Sequence, residues 1–252
     1  MGSSLAVWAA SCLVLGLRLV PVFAFAPPFT LVRMPAVFRV LFGLGLAATL
    51  VAAHPDRAVL QDDHVTTIVS AGLRELGLGL VMALVFQIAF AALYFAGRTI
   101  DIQAGYGFAS LIDPATQSQT PLVGTLFAYG AAATFFAFNG HIALMRLFAA
   151  SLDAVPLGAW QMPHSVARLA AFMSVSFATA LGVAGGSILA LFLIDLSIAV
   201  LARTVPQMNA LVLGFQVKTI VLLLVLPTAF GFGGVLLARL MASALEALPR
   251  LI

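Results

Sequence analysis

The sequence predicts an all-α membrane protein with about six long apolar helical segments. Of its 252 residues, 63% are hydrophobic and only 8% are charged, whereas soluble domains carry about 25% charged residues. The mean hydropathy is +1.14. The apolar stretches show no sustained period-two alternation, which favours helices over strands. The predicted segments are 5–25, 36–53, 68–96, 122–152, 166–201 and 210–248.

The first segment is expected to span the membrane rather than to be a cleaved signal. The AFA at 24–26 resembles a signal-peptidase site, but no basic residue precedes the apolar run and Arg18 lies inside it. Cys12 lies in the same segment and is expected to be a small core residue. A lone cysteine excludes an internal disulfide and a CxxC metal site.

Segments three and five are too long for a simple span. The stretch 68–96 would extend about 44 Å as a straight helix, against a hydrocarbon core of about 30 Å. Such segments should be tilted, broken into hairpins or partly outside the bilayer. Charged residues also lie inside several segments, and the basic residues show no clear side preference. We therefore expect much of this surface to face protein or water. Because the twelve Lys and Arg residues are scattered singly, nucleic acid is not an expected partner.

Segment four contains a polar interruption at Asn139, Gly140 and His141. His141 could carry a proton or bind a metal, but no second His or Cys lies at ligand spacing. A helix break whose polar groups bond the freed backbone is the favoured interpretation.

Segments five and six are joined by a turn that contains Pro206, Gln207 and Asn209. Proline ends one helix there, and Gln207 and Asn209 could line a wet channel or a seam between subunits. Two helices returning from this turn would bring Asp195 and Lys218 together as an ion pair, with Arg203 a second candidate partner. Proton transport is the alternative use of Asp195, and structural pairing is favoured.

Segment five also carries a row of small residues at a spacing of four. Such a row lets another helix approach backbone to backbone. The partner could belong to this chain or to another subunit. The row comprises Ser174, Ala178, Gly182, Gly186 and Ala190.

The stretch 97–121, which we call the central loop, is polar and lies between two long apolar segments. The chain contains no GxSxG, HExxH, P-loop or dinucleotide-binding motif, so no catalytic residue, metal or cofactor is expected. The three glycines of the loop allow unusual dihedrals and close approach, while Tyr106 and Phe108 supply bulk. That combination suits a flexible stopper.

Several stretches, in family order along nearly the whole chain, resemble the FliR family of flagellar type III export-gate subunits. The injectisome counterpart of this family is called SctT. The segment after NGH is more similar to the flagellar branch. The matching stretches are 27–39 (PPF…VRMPAVFR), 74–80 (RELGLGL), 97–114 (GRTIDIQAGYGFASLIDP), 135–158 and 195–218.

The resemblance implies a non-enzymatic channel subunit in the bacterial inner membrane, at the flagellar basal body. It implies a helical hetero-oligomer with FliP-like and FliQ-like subunits, together with FlhB-like and FlhA-like export components. Unfolded flagellar proteins would be the substrates. Within the chain, 1–163 would be a FliP-like part and 164–252 a FliQ-like part.

The same resemblance implies that 105–121 projects into the channel and helps to plug it. Asp113 and Pro114 would shape the return of this plug. Its tip would comprise Gly105, Tyr106, Gly107 and Phe108.

A second hypothesis is a self-contained multi-pass transporter or intramembrane enzyme that uses Asp195, His141 and Arg146. It requires Asp195→Asn or His141→Ala to abolish activity without loss of assembly. The channel-subunit hypothesis is favoured because no nucleophile–base arrangement or metal-ligand spacing accompanies these residues.

Overall fold

Helices make up nearly all of the computed structural model, which describes residues 2–60, 64–106, 121–161, 167–205, 207 and 209–251. No strand occurs in these ranges, so the predicted all-α class is confirmed. The helices are α1 (Gly2–Phe25), α2 (Ala36–Ala53), α3 (Pro55–Ala58), α4 (Val65–Ala104), α5 (Leu122–Ala137), α6 (Gly140–Ala154), α7 (Ala167–Thr204) and α8 (Ala210–Leu251).

Five helices are long and apolar enough to cross a membrane: α1, α2, α4, α7 and the first half of α8. Helices α5 and α6 form a sixth possible span that is bent by 69°. These six candidates correspond to the six segments expected from the sequence.

The bend between α5 and α6 is the predicted helix break. The expected bonding of its polar groups to the freed backbone is wrong for Asn139, whose side chain makes no capping hydrogen bond. Asn139 adopts a left-handed conformation with φ 57°, which Asn tolerates better than most residues. A Cβ on Gly140 would lie 2.5 Å from the Phe135 ring, so only glycine fits behind the break. The local sequence therefore determines this bend.

The possibility of helical hairpins in segments three and five is wrong for the described residues. Helix α4 is continuous over 40 residues and α7 over 38 residues. Neither helix contains proline, so every residue keeps the backbone N–H group that helical hydrogen bonds require. At 1.5 Å per residue α4 extends about 60 Å, roughly twice the hydrocarbon thickness.

The expected start of the central loop at Gly97 is also wrong, because α4 continues to Ala104. Ala96, Ile100 and Ala104 form a row at a spacing of four, and all three side chains are fully buried. This row continues the core-facing stripe of the helix. Polar residues between its members hid the helical period in the sequence.

The chain divides into two units, and α4, α5, α7 and α8 each contribute residues to both. Unit 1 comprises Met1–Ala89, Phe135–Met173 and Met241–Ile252. Unit 2 comprises Phe90–Thr134 and Ser174–Leu240.

A cluster of phenylalanines forms part of the core of unit 1. The Phe23 ring contacts the rings of Phe29, Phe42 and Phe148 at centroid distances of 4.8, 5.1 and 5.9 Å. The Phe135 ring packs edge-on against Phe86 at 5.9 Å. Edge-to-face pairs of this kind stabilise beyond the area that they bury. The cluster joins α1, α2, α4, α5 and α6 within this unit.

Arg18 on α1 and Glu75 on α4 form a buried ion pair in unit 1. Both side chains have no solvent-exposed surface, and Arg18 Nε lies 2.5 Å from Glu75 Oε2. Arg18 also donates to Ser151 Oγ at 3.1 Å and to the Val155 carbonyl at 3.0 Å. The backbone N–H of Gly158 donates to Glu75 Oε1 at 2.8 Å. One ion pair thus joins α1, α4, α6 and the segment after α6.

The RELGLGL stretch of α4 is built around this ion pair. Arg74 donates to the Gly158 carbonyl at 3.0 Å. A Cβ on Gly77 would lie 2.7 Å from the Trp160 ring, and one on Gly79 would lie 2.6 Å from the Leu17 and Arg18 carbonyl oxygens. Both glycines are therefore required for close packing around the ion pair.

Glu75→Gln should destabilise unit 1 strongly, because it leaves the Arg18 charge buried without a counterion. Removing one partner of a buried ion pair typically costs about 3–5 kcal/mol. Asp153→Asn is the matched control, since the Arg57–Asp153 pair has side chains that are 49% and 58% exposed and should contribute less than about 1 kcal/mol. Thermal unfolding midpoints of the detergent-purified variants measure the difference. Equal midpoints would contradict the proposed dominance of the buried pair.

Candidate functional site at the base of the central loop

The central loop leaves α4 through a glycine turn in unit 2. Gly105 adopts φ 91°, a left-handed conformation that favours glycine after a helix. Its backbone N–H donates to the Ile102 carbonyl at 3.1 Å. Gly105 therefore ends α4 and sets the direction of the chain that follows.

Tyr106 is the one other predicted plug residue that the structure describes. It is half-buried, and its ring centroid lies 6.2 Å from that of Phe215 on α8. The base of the loop is thus packed on α8. The predicted residues Gly107, Phe108, Asp113 and Pro114 lie outside the described residues.

The returning end of the loop is held by Asp101. Its carboxylate accepts the backbone N–H groups of Val123 at 3.0 Å and of Gly124 at 3.2 Å. These amides belong to the first turn of α5, where no intrahelical acceptor is available. Asp101 is only 5% exposed. A carboxylate near the C-terminal end of α4 therefore caps the N-terminal end of α5, on the other side of the central loop.

Two glycines let α4 and α5 meet backbone to backbone beside this cap. A Cβ on Gly97 would lie 2.4 Å from the Gly124 Cα atom. This contact and the Asp101 cap bring the two ends of the central loop together. The two ends of the central loop are consequently fixed side by side.

A polar cluster on α4, α7 and α8 lies beside the same base. Lys218 Nζ lies 2.5 Å from Asp195 Oδ1 and donates to the Gln103 carbonyl at 3.0 Å. The Gln103 side chain donates in turn to the Ile188 carbonyl at 3.2 Å. The partner of Asp195 is Lys218, as the sequence favoured, and not Arg203, which is exposed near the end of α7.

The turn between α7 and α8 is described only in part. Pro206 lies outside the described residues, and Gln207 is exposed. Asn209 Oδ1 accepts the Val212 N–H at 3.3 Å, which makes Asn209 the N-cap of α8. This geometry gives Asn209 a capping role. A channel-lining role for Gln207 and Asn209 stays a prediction.

His141 lies in unit 1, at the start of α6. Its ring contacts Phe136 at a centroid distance of 5.8 Å. Among the described residues, no group of three or more His, Cys, Asp or Glu side chains could hold a metal ion. The surroundings of His141 are those of a packed residue next to the Asn139 break.

The row of small residues on α7 lies on an open face of unit 2. A Cβ on Gly186 would meet nothing within 4 Å, and one on Gly182 would meet only Leu236 Cδ1, at 3.7 Å. Large apolar side chains beside the row, such as Leu181 and Leu189, are also exposed. Within the described part of unit 2, no helix covers the row. Its members Ser174, Ala178, Gly182 and Gly186 are exposed, and Ala190 is half-buried.

The sequence did not identify Asp101 or Gln103 as structural anchors of the loop. Asp101 bonds amides 22 and 23 positions later, and Gln103 bonds a carbonyl 85 positions later. A polar residue in the last turn of an apolar helix was the available signal. Its partners depend on how the helices pack.

The chain matches the family described as bacterial export proteins, family 1, over residues 9–244. It is 30% identical over 208 residues to the flagellar biosynthetic protein FliR of Bacillus subtilis, covering 80% of this chain and 79% of the relative. It is 30% identical to the protein of the same name from Pectobacterium carotovorum, covering 71% and 69%. It is 25% identical to the surface presentation of antigens protein SpaR of Shigella sonnei, covering 83% and 80%.

Asp101→Ala should loosen the start of α5, because two amides lose their acceptor. Loss of a helix cap weakens the first turn by about 0.5–2 kcal/mol, so hydrogen exchange at Val123 and Gly124 should accelerate roughly two- to thirtyfold. Asn209→Ala, which removes the cap of α8, is the matched control and should accelerate exchange at Val212 alone. Unchanged exchange at Val123 and Gly124 in the Asp101 variant would contradict the capping role.

Proposed function

The chain belongs to the family of bacterial export proteins, family 1, and on that premise we propose that it is a FliR-type channel subunit of a flagellar type III export gate. The observation that carries this proposal is the family match over residues 9–244, nearly the whole chain. The flagellar branch is favoured because the segment after NGH is more similar to it, and because the FliR proteins of Bacillus subtilis and Pectobacterium carotovorum are 30% identical to the chain, whereas SpaR of Shigella sonnei is 25% identical. In this role the protein passes unfolded flagellar proteins and performs no covalent chemistry.

The chemistry of the site supports a structural role. The Asp195 carboxylate is bonded to Lys218, and the Asp101 carboxylate is bonded to helix amides. Groups engaged in this way hold helices in place. The transporter alternative needs Asp195 to exchange protons, and its pairing with Lys218 favours the channel-subunit proposal.

We place the protein in a hetero-oligomer with FliP-like and FliQ-like subunits, together with FlhB-like and FlhA-like components, in the bacterial inner membrane at the flagellar basal body. Two features support an assembled state. The α7 face carries small residues that no described part of unit 2 covers, and such faces suit close helix packing. In addition, α4 is about twice as long as a bilayer core requires. The division into a FliP-like part at 1–163 and a FliQ-like part at 164–252 belongs to the same proposal.

The residues 105–121 form the channel plug in this proposal. Support comes from the fixed base: Gly105 turns the chain out of α4, Tyr106 packs on Phe215, and Asp101 holds the return. These contacts fix both ends of the proposed plug on helices of unit 2.

Deleting 105–121 should make the closed membrane permeable to small solutes while the complex still assembles. A replacement of equal length with Gly and Ser keeps the chain connected and should leak as well, since the aromatic bulk is lost. Uptake of a small impermeant dye by cells that express each variant measures permeability, and purification of the complex verifies assembly. A tight membrane in both variants would refute the plug assignment.

The tagged chain should purify in mild detergent together with FliP-like and FliQ-like subunits. The physical reason is the open apolar face of α7, which needs a partner helix when lipid is removed. Mass spectrometry of the intact complex identifies and counts the partners. Substituting Gly182 with Leu should reduce recovery of the partners severalfold, since a large side chain on the row prevents close approach. A monodisperse solitary subunit would contradict the proposed assembly.

A further inference from the structure

We propose that Lys218 is a positioning residue that clasps the last turn of α4 and thereby holds the base of the central loop against α8. We call Lys218, Asp195, Gln103 and Ile188, with the contacts described above, the Lys218 clasp. The inference rests on the proposed function, in which 105–121 plugs a channel, and adds to it the group that fixes the position of the plug.

The last turn of α4 offers a backbone acceptor to Lys218. Carbonyl groups in the last turn of a helix lack intrahelical partners and carry the negative end of the helix dipole. The Lys218 ammonium donates to one of them, the Gln103 carbonyl, at 3.0 Å. A charge-assisted hydrogen bond at this position is stronger than a neutral one. Lys218 therefore stabilises the α4 terminus two residues before Gly105.

Gln103 is held by two hydrogen bonds. Its carbonyl accepts from Lys218 of α8, and its side chain donates to the Ile188 carbonyl of α7 at 3.2 Å. Asp195 of α7 lies 2.5 Å from the same ammonium and neutralises its charge. The end of α4 is thus tied to both long helices of unit 2 at the point where the loop begins.

The two α8 residues that contact the base of the loop lie on one side of the helix. Phe215 and Lys218 are three residues apart and so lie on one side of the helix. Phe215 contacts Tyr106, and Lys218 contacts Gln103. A single helix face therefore holds the residues on both sides of the Gly105 turn. Movement of α8 would be transmitted directly to the base of the loop.

The Lys218–Asp195 and Arg18–Glu75 ion pairs differ in burial. The side chains of Lys218 and Asp195 are 17% and 43% exposed, whereas those of Arg18 and Glu75 are fully buried. The ion pair of the Lys218 clasp is therefore the less buried of the two.

The test measures the position of the loop base by cross-linking within the assembled complex. Tyr106→Cys and Phe215→Cys are introduced in a Cys12→Ala background, and a short bismaleimide joins them. Loss of a charge-assisted hydrogen bond and an ion pair should lower the cross-linking yield about five- to tenfold in Lys218→Met. Lys218→Arg, which keeps the positive charge, should retain most of the yield. Gln216→Met, on an exposed position of the same helix, is the control and should cross-link like the parent.

Asp195→Asn provides a second variant if Lys218→Met does not assemble, and it should lower the yield less, since Lys218 keeps its bond to Gln103. An unchanged cross-linking yield in Lys218→Met overturns the clasp, whatever the dye uptake shows. If Lys218→Met does not assemble, an unchanged yield in Asp195→Asn overturns it instead.

Dye uptake in the same variants without the cysteines relates the clasp to the plug. Leakage in Lys218→Met with an intact complex, and none in Gln216→Met, supports the full inference. A lower cross-linking yield without leakage, in cells where the 105–121 deletion leaks, overturns control of the plug by the clasp. If the yield falls in Lys218→Met but neither that variant nor the 105–121 deletion leaks, Lys218 positions the loop base and the proposed plug function is wrong.

Discussion

A guanidinium and a carboxylate that are buried away from water must pair with each other, and this requirement determines how the helices of unit 1 pack. Arg18 and Glu75 are fully buried in apolar helices, where an unpaired charge is very costly. Their pairing determines how α1 lies on α4. The remaining donors of Arg18 reach Ser151 and Val155, so the position of α6 follows as well. The tight glycine contacts of Gly77 and Gly79 are consequences of the same requirement, because a side chain at either position would separate the elements that supply the bonds.

Unit 2 uses polar contacts for a different purpose. Asp101 caps α5, and Lys218 bonds the end of α4, so both contacts lie at the base of the central loop. The Lys218–Asp195 pair is partly exposed, whereas the Arg18–Glu75 pair of unit 1 is fully buried.

The helices leave large apolar surfaces exposed, as expected of a chain with several candidate membrane spans. A Cβ on Gly186 of α7 would meet nothing within 4 Å. The length of α4 exceeds what a bilayer core needs. These observations agree with membership of a family of bacterial export proteins.

The sequence by itself determined the class, the helical segments and the break at Asn139, because composition, periodicity and an Asn–Gly pair are local properties. It also carried the family resemblance, and it suggested the Asp195–Lys218 pair from two helices joined by one turn. Only the tertiary structure decided which residues lie together over long separations. Arg18 pairs with a residue 57 positions away, Asp101 caps a helix beyond the central loop, and α4 continues to Ala104 because its buried row packs against neighbours. These choices depend on the free energy of burying a charge or an apolar face against a particular partner, which no single segment contains.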